Sequence, residues 1–197
     1  MAGDRLTGLD ASFLHLEDAS AHMHVAGVML FEGPPPPYDE LIDAFERRLP
    51  LVPRYRQRLA FAPFGVARPV WADDPHFNIA YHVRHTALPS PASDDQLRRL
   101  AGRVFSQQLD REKPLWEIWL VDELAGDRFA LVCKTHHALV DGISGVDILT
   151  VLFDLEPDPP EREPGPPWSP RPLPGRAELF AAALVERAIA PVGLARS

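Results

Sequence analysis

Two adjacent histidines are the residues of this sequence best suited to chemistry near neutral pH. His136 and His137 are followed by Ala138-Leu139-Val140-Asp141-Gly142. Neutral imidazole is the usual general base near pH 7, and a positioned base contributes about 10²–10⁴ in rate. Because neighbouring side chains of an extended backbone point to opposite sides, only one histidine is predicted to face a given cavity. A turn with satisfied polar side chains is the other interpretation of an isolated pair.

The histidines follow a predicted strand and precede a predicted helix. Residues 128–134 form a short, mostly apolar run, which indicates a buried strand. Residues 144–153 carry apolar side chains at helical spacing. Gly142 suits a turn with positive φ. Such a strand-to-helix connection can present reactive side chains at the end of a sheet.

Further helices and strands are predicted to form the scaffold of this connection. A short helix near the N-terminus has Asp10 or Ser12 as its candidate cap, and apolar stripes predict helices over 38–49 and 93–108. Strands are predicted at residues 22–31, 55–59, 66–71, 78–85, 116–120 and 128–134. The irregular order of these elements predicts an α/β protein with a mixed β-sheet flanked by helices.

Composition excludes several classes of protein. The net charge of −8 gives no electrostatic basis for binding nucleic acid. No run approaches the roughly 20 apolar residues of a membrane span, and the N-terminus does not resemble a secretory signal. The single cysteine, Cys133, rules out an internal disulfide, and we predict a buried, inert thiol there rather than a nucleophile. A cytoplasmic location is predicted.

Other polar groups allow a functional and a structural interpretation. The spacing of His22 and His24 is legitimate for metal ligands, but no further ligand lies near them in sequence, which favours a structural role. His82 and His85 are predicted to be surface histidines of a strand. A basic run could meet coenzyme A phosphates or anionic lipid headgroups, or form a solvated face, the interpretation we favour. That run consists of Arg47, Arg48, Arg54, Arg56 and Arg58.

The composition changes abruptly after residue 155. We predict a domain over residues 1–155, a Pro-rich linker that is not a packed element over 156–175, and a helix within 176–197. The terminal helix is predicted either to pack on another part of a larger protein or to lie on a membrane surface. Its polar face is poor in basic residues, which favours packing.

The pattern HHxxxDG from His136 to Gly142 resembles the active-site motif of the chloramphenicol acetyltransferase-like superfamily. This superfamily includes acyl-CoA-dependent acyltransferases and peptide-synthetase condensation domains. From about residue 6 to residue 155, collinear segments resemble the bacterial wax ester synthase/diacylglycerol acyltransferase family. These are Leu9-Asp10-Ala11-Ser12-Phe13-Leu14, Met23-His24-Val25, Phe31-Glu32-Gly33-Pro34, Tyr81-His82-Val83-Arg84, Asp110-Arg111 and Pro114-Leu115-Trp116-Glu117.

The resemblance implies a chloramphenicol acetyltransferase-like fold and an O-acyl transfer reaction. The fatty acyl group of acyl-CoA would pass to diacylglycerol or to a long-chain alcohol, with acyl-CoA as co-substrate and no metal or other cofactor. Members of the family have two similar halves with a tunnel between them. The chain is therefore expected to be an N-terminal half whose partner is a C-terminal half, with contact to a membrane or lipid droplets as a further expectation.

The resemblance also implies roles for the motif residues. His137 would take the proton from the acceptor hydroxyl, with no covalent enzyme intermediate, and His136 would shape the pocket. Asp141 would be structural, pairing with an arginine that holds the loop, and Gly142 would form the turn. A condensation domain and a non-catalytic lipid-binding or interaction half remain the alternatives.

Overall fold

Helices pack on both faces of a mixed β-sheet in the computed structural model, which describes residues 4–140 and 167–189. The strands are β1 (His24–Glu32), β2 (Gln57–Ala60), β3 (Val70–Asp73), β4 (Val83–Ala87), β5 (Trp116–Leu124) and β6 (Arg128–His136). The helices are α1 (Gly8–Leu16), α2 (Tyr38–Arg48), α3 (Ile79–His82), α4 (Asp94–Phe105), α5 (His137–Val140) and α6 (Arg176–Ile189). Short 3₁₀ turns occupy Leu49–Leu51, Pro53–Arg56 and Pro63–Gly65.

The main sheet has the strand order β1-β6-β5-β4. Its central hairpin, β5 and β6, is antiparallel, and β1 is antiparallel to β6, whereas β4 runs parallel to β5. Gly126 and Asp127 in the hairpin connection both have positive φ, which glycine adopts without strain. Strands β2 and β3 form a separate antiparallel pair. The predicted hairpin and mixed sheet are confirmed.

Each face of the main sheet contributes to a separate apolar cluster. On one face, α4 packs Leu97, Leu100 and Val104 against side chains of β5 and β6 that include Val121 and Val132. The larger cluster joins α1, α2, the first two 3₁₀ turns and β3 to the same two strands, and it also includes Ala138 and Leu139 of α5. The element that begins with His137 is therefore anchored in the core.

Capping side chains fix where the helices begin. The predicted capping box of Ser93 and Gln96 starts α4. Helix α1 starts with a similar box, in which Thr7 is the cap and the Asp10 side chain reaches back to the Thr7 backbone. The prediction of Asp10 or Ser12 as the cap of α1 is therefore wrong, because helical structure begins at Gly8, ahead of both residues.

The segment predicted as one strand over 78–85 is split in the structure. Asn78 accepts a hydrogen bond from the Ala80 N–H at 3.0 Å and caps α3, and the strand begins only at Val83. An Asx-type cap of this kind offers the backbone an alternative to extended structure. The alternation of apolar and polar residues predicted extended structure throughout this segment and did not reveal the helical turn.

The end of the Pro-rich segment packs against β3 and its surroundings. Arg171 donates from its backbone and guanidinium to Asp73, and these bonds, working against desolvation, lower the pKa of Asp73 to about 2. The Arg56 guanidinium carbon stands over the Trp168 ring, 4.8 Å from the ring centroid. The ring centroids of Trp168 and Phe77 are 6.0 Å apart. Residues 168 and 171 of the segment predicted as a linker thus make specific contacts with the rest of the chain.

Helix α6 packs by one face on the chain itself. Leu179 and Ala183 are buried, and Leu179 joins Val70 and Ala62 in a small apolar cluster. Leu184 and Val185 are about half exposed. None of the helices in the described segments is long and apolar enough to cross a membrane.

Candidate active site

The two histidines lie at the junction of a strand and a helix, with no loop between them. His136 is the last residue of β6, and His137 is the first of α5. Backbone bonds hold both residues: the His136 N–H donates to the Leu115 carbonyl at 3.0 Å, and the His137 N–H donates to the Met23 carbonyl at 2.9 Å. The predicted strand before the histidines is present, but it extends to His136, and helical structure begins at His137. The helix predicted over 144–153 lies outside the described residues.

The His136 ring is buried and faces the protein. Its exposure is 1%, and its Nδ1 accepts the Ala138 N–H at 3.0 Å. Its Nε2 lies 3.6 Å from Oε2 of Glu17. Burial lowers the pKa of His136 to about 4, although the negative charge of Glu17 opposes this shift. At neutral pH the ring is therefore uncharged and enclosed.

The His137 ring is the partly exposed member of the pair. It stacks on Phe13 of α1, with ring centroids 5.0 Å apart and planes at 21°. This contact restrains the ring without supplying a hydrogen-bond partner. Of the two imidazoles, only that of His137 combines a restrained position with access from outside the core, as a general base requires.

Glu17 and Arg111 form an ion pair behind the histidines. Arg111 donates from Nε and Nη2 to Oε2 of Glu17, at 3.0 and 2.7 Å, and also to the Leu14 carbonyl. Met23 donates its N–H to the other carboxylate oxygen at 3.3 Å. Desolvation of Glu17 opposes these donors, but together with the nearby His136 they lower its pKa.

Sequence reasoning missed Glu17 and gave no role to Phe13 or Arg111. Phe13 and Arg111 stood only inside segments that resemble the family. Glu17 follows Phe13 by one helical turn, which places both on one side of α1. This spacing does not indicate a functional role unless the residues that pack against α1 are known. Tertiary structure alone brings them to the histidine pair.

The other predicted motif residues lie outside the described part of the chain. Asp141 and Gly142 belong to the interval 141–166, as does the predicted helix over 144–153. Their structural role, and the pairing of Asp141 with an arginine, stay predictions. Within residues 4–140 and 167–189, no group of three or more His, Cys, Asp or Glu side chains is arranged to hold a metal ion.

His22 and His24 cover the C-terminal end of α4. Their Nε2 atoms lie 2.9 Å from the carbonyls of Ser106 and Phe105, and their rings stack at 5.6 Å. Lys134 joins them, donating from Nζ to two further carbonyls at this end and to Glu117. These donors satisfy carbonyls that a helix end leaves without intrahelical partners.

His82 is a buried histidine, and its predicted position on the surface is wrong. Its exposure is 1%, its Nδ1 lies 2.8 Å from the Trp116 carbonyl, and its ring stacks between Phe77 and Trp116. Burial lowers its pKa to about 4. The error follows from the short α3 helix, which turns this side chain into the core, whereas His85 on β4 is exposed and pairs with Asp122.

Arginines of the basic run are used within the chain. The Arg54 guanidinium stands 5.1 Å from the Trp71 ring, and Arg56 covers Trp168. Arg58 donates to the Glu112 carbonyl at 3.1 Å, and Arg48 donates to the Ala44 carbonyl. These contacts differ from the open solvated face that was favoured from sequence.

The fold defines the class of protein. A solved condensation domain of the calcium-dependent antibiotic synthetase matches 70% of this chain and 33% of its own, with a TM-score of 0.57 and 21% identity. The wax ester synthase/diacylglycerol acyltransferase from Marinobacter aquaeolei VT8 matches with a TM-score of 0.60 and 34% identity, over 70% of this chain and 34% of that one. The predicted chloramphenicol acetyltransferase-like fold is confirmed.

The family follows from the sequence comparison. Residues 6–196 match the family described as wax ester synthase/diacylglycerol acyltransferase catalytic domain, and the chain belongs to this family. A probable diacylglycerol O-acyltransferase of Mycobacterium tuberculosis is 41% identical over 189 residues, covering 95% of this chain and 69% of that protein. Another from the same organism is 39% identical over 153 residues and is covered to 33% of its length. The predicted family is confirmed.

The buried histidines predict a pH-dependent stability. Both His82 and His136 have a pKa of about 4, whereas an unfolded histidine titrates near 6.5. The unfolded chain therefore binds more protons between these values, so the free energy of unfolding should fall by a few kcal/mol as pH drops from 6.5 to 4. Urea unfolding across this range would measure the loss.

The titration of Asp73 lies below the pH range of the buried histidines. The Asp73 pKa is lowered from 3.8 to about 2, so the stability that Asp73 contributes is lost only below the histidine range. The variant His82→Phe should show a shallower dependence between pH 6.5 and 4 than the parent chain. A flat stability profile in that range for the parent would contradict the assignment of buried neutral histidines.

Proposed function

We propose that this chain carries the general base of an O-acyltransferase. The donor is a fatty acyl-CoA, and the acceptor is the hydroxyl of a diacylglycerol or a long-chain alcohol. The observation that supports this proposal most directly is the contrast within the histidine pair: His136 is enclosed, whereas His137 is partly exposed and stacked on Phe13. Family membership gives the type of substrate.

His137 would act on the acceptor hydroxyl. Its neutral imidazole takes the hydroxyl proton as the oxygen attacks the thioester carbonyl carbon, forming the new C–O bond. The C–S bond then breaks, and the departing coenzyme A sulfur takes the proton from the His137 imidazolium, which restores the neutral base. A thiol has a pKa of about 8.5, so its thiolate is a good leaving group and one positioned base is sufficient.

The environment of Cys133 supports direct transfer over a route through a thiol ester on the protein. Burial raises the pKa of the Cys133 thiol to about 12. At neutral pH the thiol is therefore almost entirely protonated, and the thiolate is the nucleophilic form. Together with the partly exposed position of His137, this favours attack by the acceptor itself.

The test is the release of free coenzyme A thiol from palmitoyl-CoA, with and without hexadecanol or diacylglycerol. The chain covers only a third of several relatives, so we would assay it alone and mixed with the C-terminal half of the Marinobacter enzyme. We expect release that depends on the acceptor. Palmitoyl-CoA binding without any release, alone and in the mixture, would instead favour a non-catalytic lipid-binding role.

Contact with a lipid surface is a second proposal for this chain. Phe64 is 92% exposed and meets Phe180 of α6 edge-on at 6.4 Å. Leu184 lies one turn beyond Phe180 and is half exposed. These three apolar side chains form a patch in which Phe180 is partly exposed, and Arg176 lies one turn before Phe180 on α6. This combination suits an interfacial site on anionic lipid.

Replacing Phe64 with serine should weaken sedimentation with vesicles of mixed neutral and anionic lipid about tenfold or more, because each buried aromatic contributes about 1.5–3 kcal/mol. Leu30 on β1 is half exposed and is not part of this patch, so Leu30→Ser is the control. Equal sedimentation of the parent, Phe64→Ser and Leu30→Ser proteins would exclude this patch as the lipid contact.

A further inference from the structure

Resting on the proposed role of His137, we infer that Glu17 is a positioning residue that acts through His136 to hold the helix start where His137 lies. Phe13 of α1 and Glu17, the residue that ends this helix, face two consecutive residues at the β6–α5 junction. Phe13 stacks on His137, and Glu17 faces His136. Helix α1 thus contacts both members of the pair at once.

His136 connects the carboxylate to α5. Its Nδ1 accepts the backbone N–H of Ala138, the residue after His137, at 3.0 Å. The His136 side chain therefore caps the first turn of α5, in the way that a polar side chain satisfies a free N–H at a helix start. A shift of this ring would release the turn that orients His137.

The cap requires one tautomer of His136. Because Nδ1 is an acceptor, the single proton of the neutral ring must be on Nε2. That nitrogen is buried without a hydrogen-bond partner in the described region and lies 3.6 Å from Oε2 of Glu17. The carboxylate therefore favours the Nε2–H tautomer by placing negative charge beside its proton.

Arg111 holds the Glu17 carboxylate in place, and its positive charge offsets part of the negative charge that Glu17 presents to His136. The guanidinium makes two bonds to Oε2 and one to the Leu14 carbonyl, which ties the carboxylate to the end of α1. Full protonation of His136 would turn Nδ1 into a donor and break the cap. The charged or titratable groups that act on this ring are Glu17 at the C-terminal cap of α1, Arg111 from the α4–β5 loop, His24 from β1 and His137 from α5.

The test variant is Glu17→Gln, which keeps the shape and removes the charge. ¹⁵N chemical shifts of His136 should report the Nε2–H tautomer in the parent and a mixture of tautomers in the variant. In the acyl-transfer assay we expect kcat to fall about tenfold to hundredfold, with KM for palmitoyl-CoA nearly unchanged, because displacing a base by about 1 Å has effects of this size. Glu46→Gln, an exposed substitution on α2, is the matched control.

The two readouts separate this inference from the proposed function. The tautomer measurement needs no turnover. A parent that is inactive both alone and in the mixture, but whose Nε2–H signature is lost in Glu17→Gln, would count against the acyltransferase proposal and leave the effect of Glu17 on His136 supported. An Nδ1–H tautomer in the parent would overturn the inference. So would a Glu17→Gln protein that lost stability but kept both the parental ¹⁵N shifts and the parental kcat.

Discussion

Replacing His137 with alanine should lower acceptor-dependent release of coenzyme A by about 10²–10⁴, the usual contribution of a positioned general base. The expected loss is in kcat, because the proton transfer occurs in the transition state rather than on binding. Palmitoyl-CoA affinity should change little. The free energy of unfolding should also remain near that of the parent, because the ring is partly exposed and its main aromatic contact is Phe13.

His15 provides the matched control for this prediction. It is an exposed histidine on α1, and His15→Ala removes the same side chain without touching the junction of β6 and α5. We expect parental rates from that variant. Parental rates from His137→Ala would remove the basis for the proposed mechanism, whereas a loss of folding measured by circular dichroism would show that the ring is structural.

Replacing Trp116 with alanine should lower the free energy of unfolding by about 3–5 kcal/mol, the range for truncating a large buried aromatic side chain. Trp116 is 1% exposed and stacks on His82 with ring centroids 4.6 Å apart. Its indole Nε1 donates to the Tyr55 carbonyl at 2.9 Å. The substitution therefore creates a cavity and leaves a buried carbonyl without its donor.

The size of this effect makes it a demanding test of the core. A domain is typically stable by about 5–15 kcal/mol, so a large share of the total would be lost. Urea unfolding at neutral pH would measure it, with Phe61→Ala as the control because Phe61 is about half exposed. A change below about 1 kcal/mol in Trp116→Ala would show that this part of the core is not as tightly packed as described.

Local patterns were informative where one interaction dominates. The apolar stripe of α2, the capping box at Ser93 and the β5–β6 hairpin were all predicted, because helical spacing, a cap and a turn are encoded within a few residues. The prediction of one strand over 78–85 was wrong because the Asn78 cap favours a helical turn at Ile79–His82. The alternation of apolar and polar residues does not reveal this local preference.

The sequence by itself determined the family, the fold class and the histidine pair as the candidate site, because the motif and its collinear segments lie along the chain. Only the tertiary structure decided which histidine is enclosed and which is partly exposed. It also brought Glu17 and Arg111, far apart in sequence, to His136. The physical reason is that burial and long-range hydrogen bonds depend on which elements pack together. The spacing of residues within one helix or strand does not indicate which other elements will pack against it.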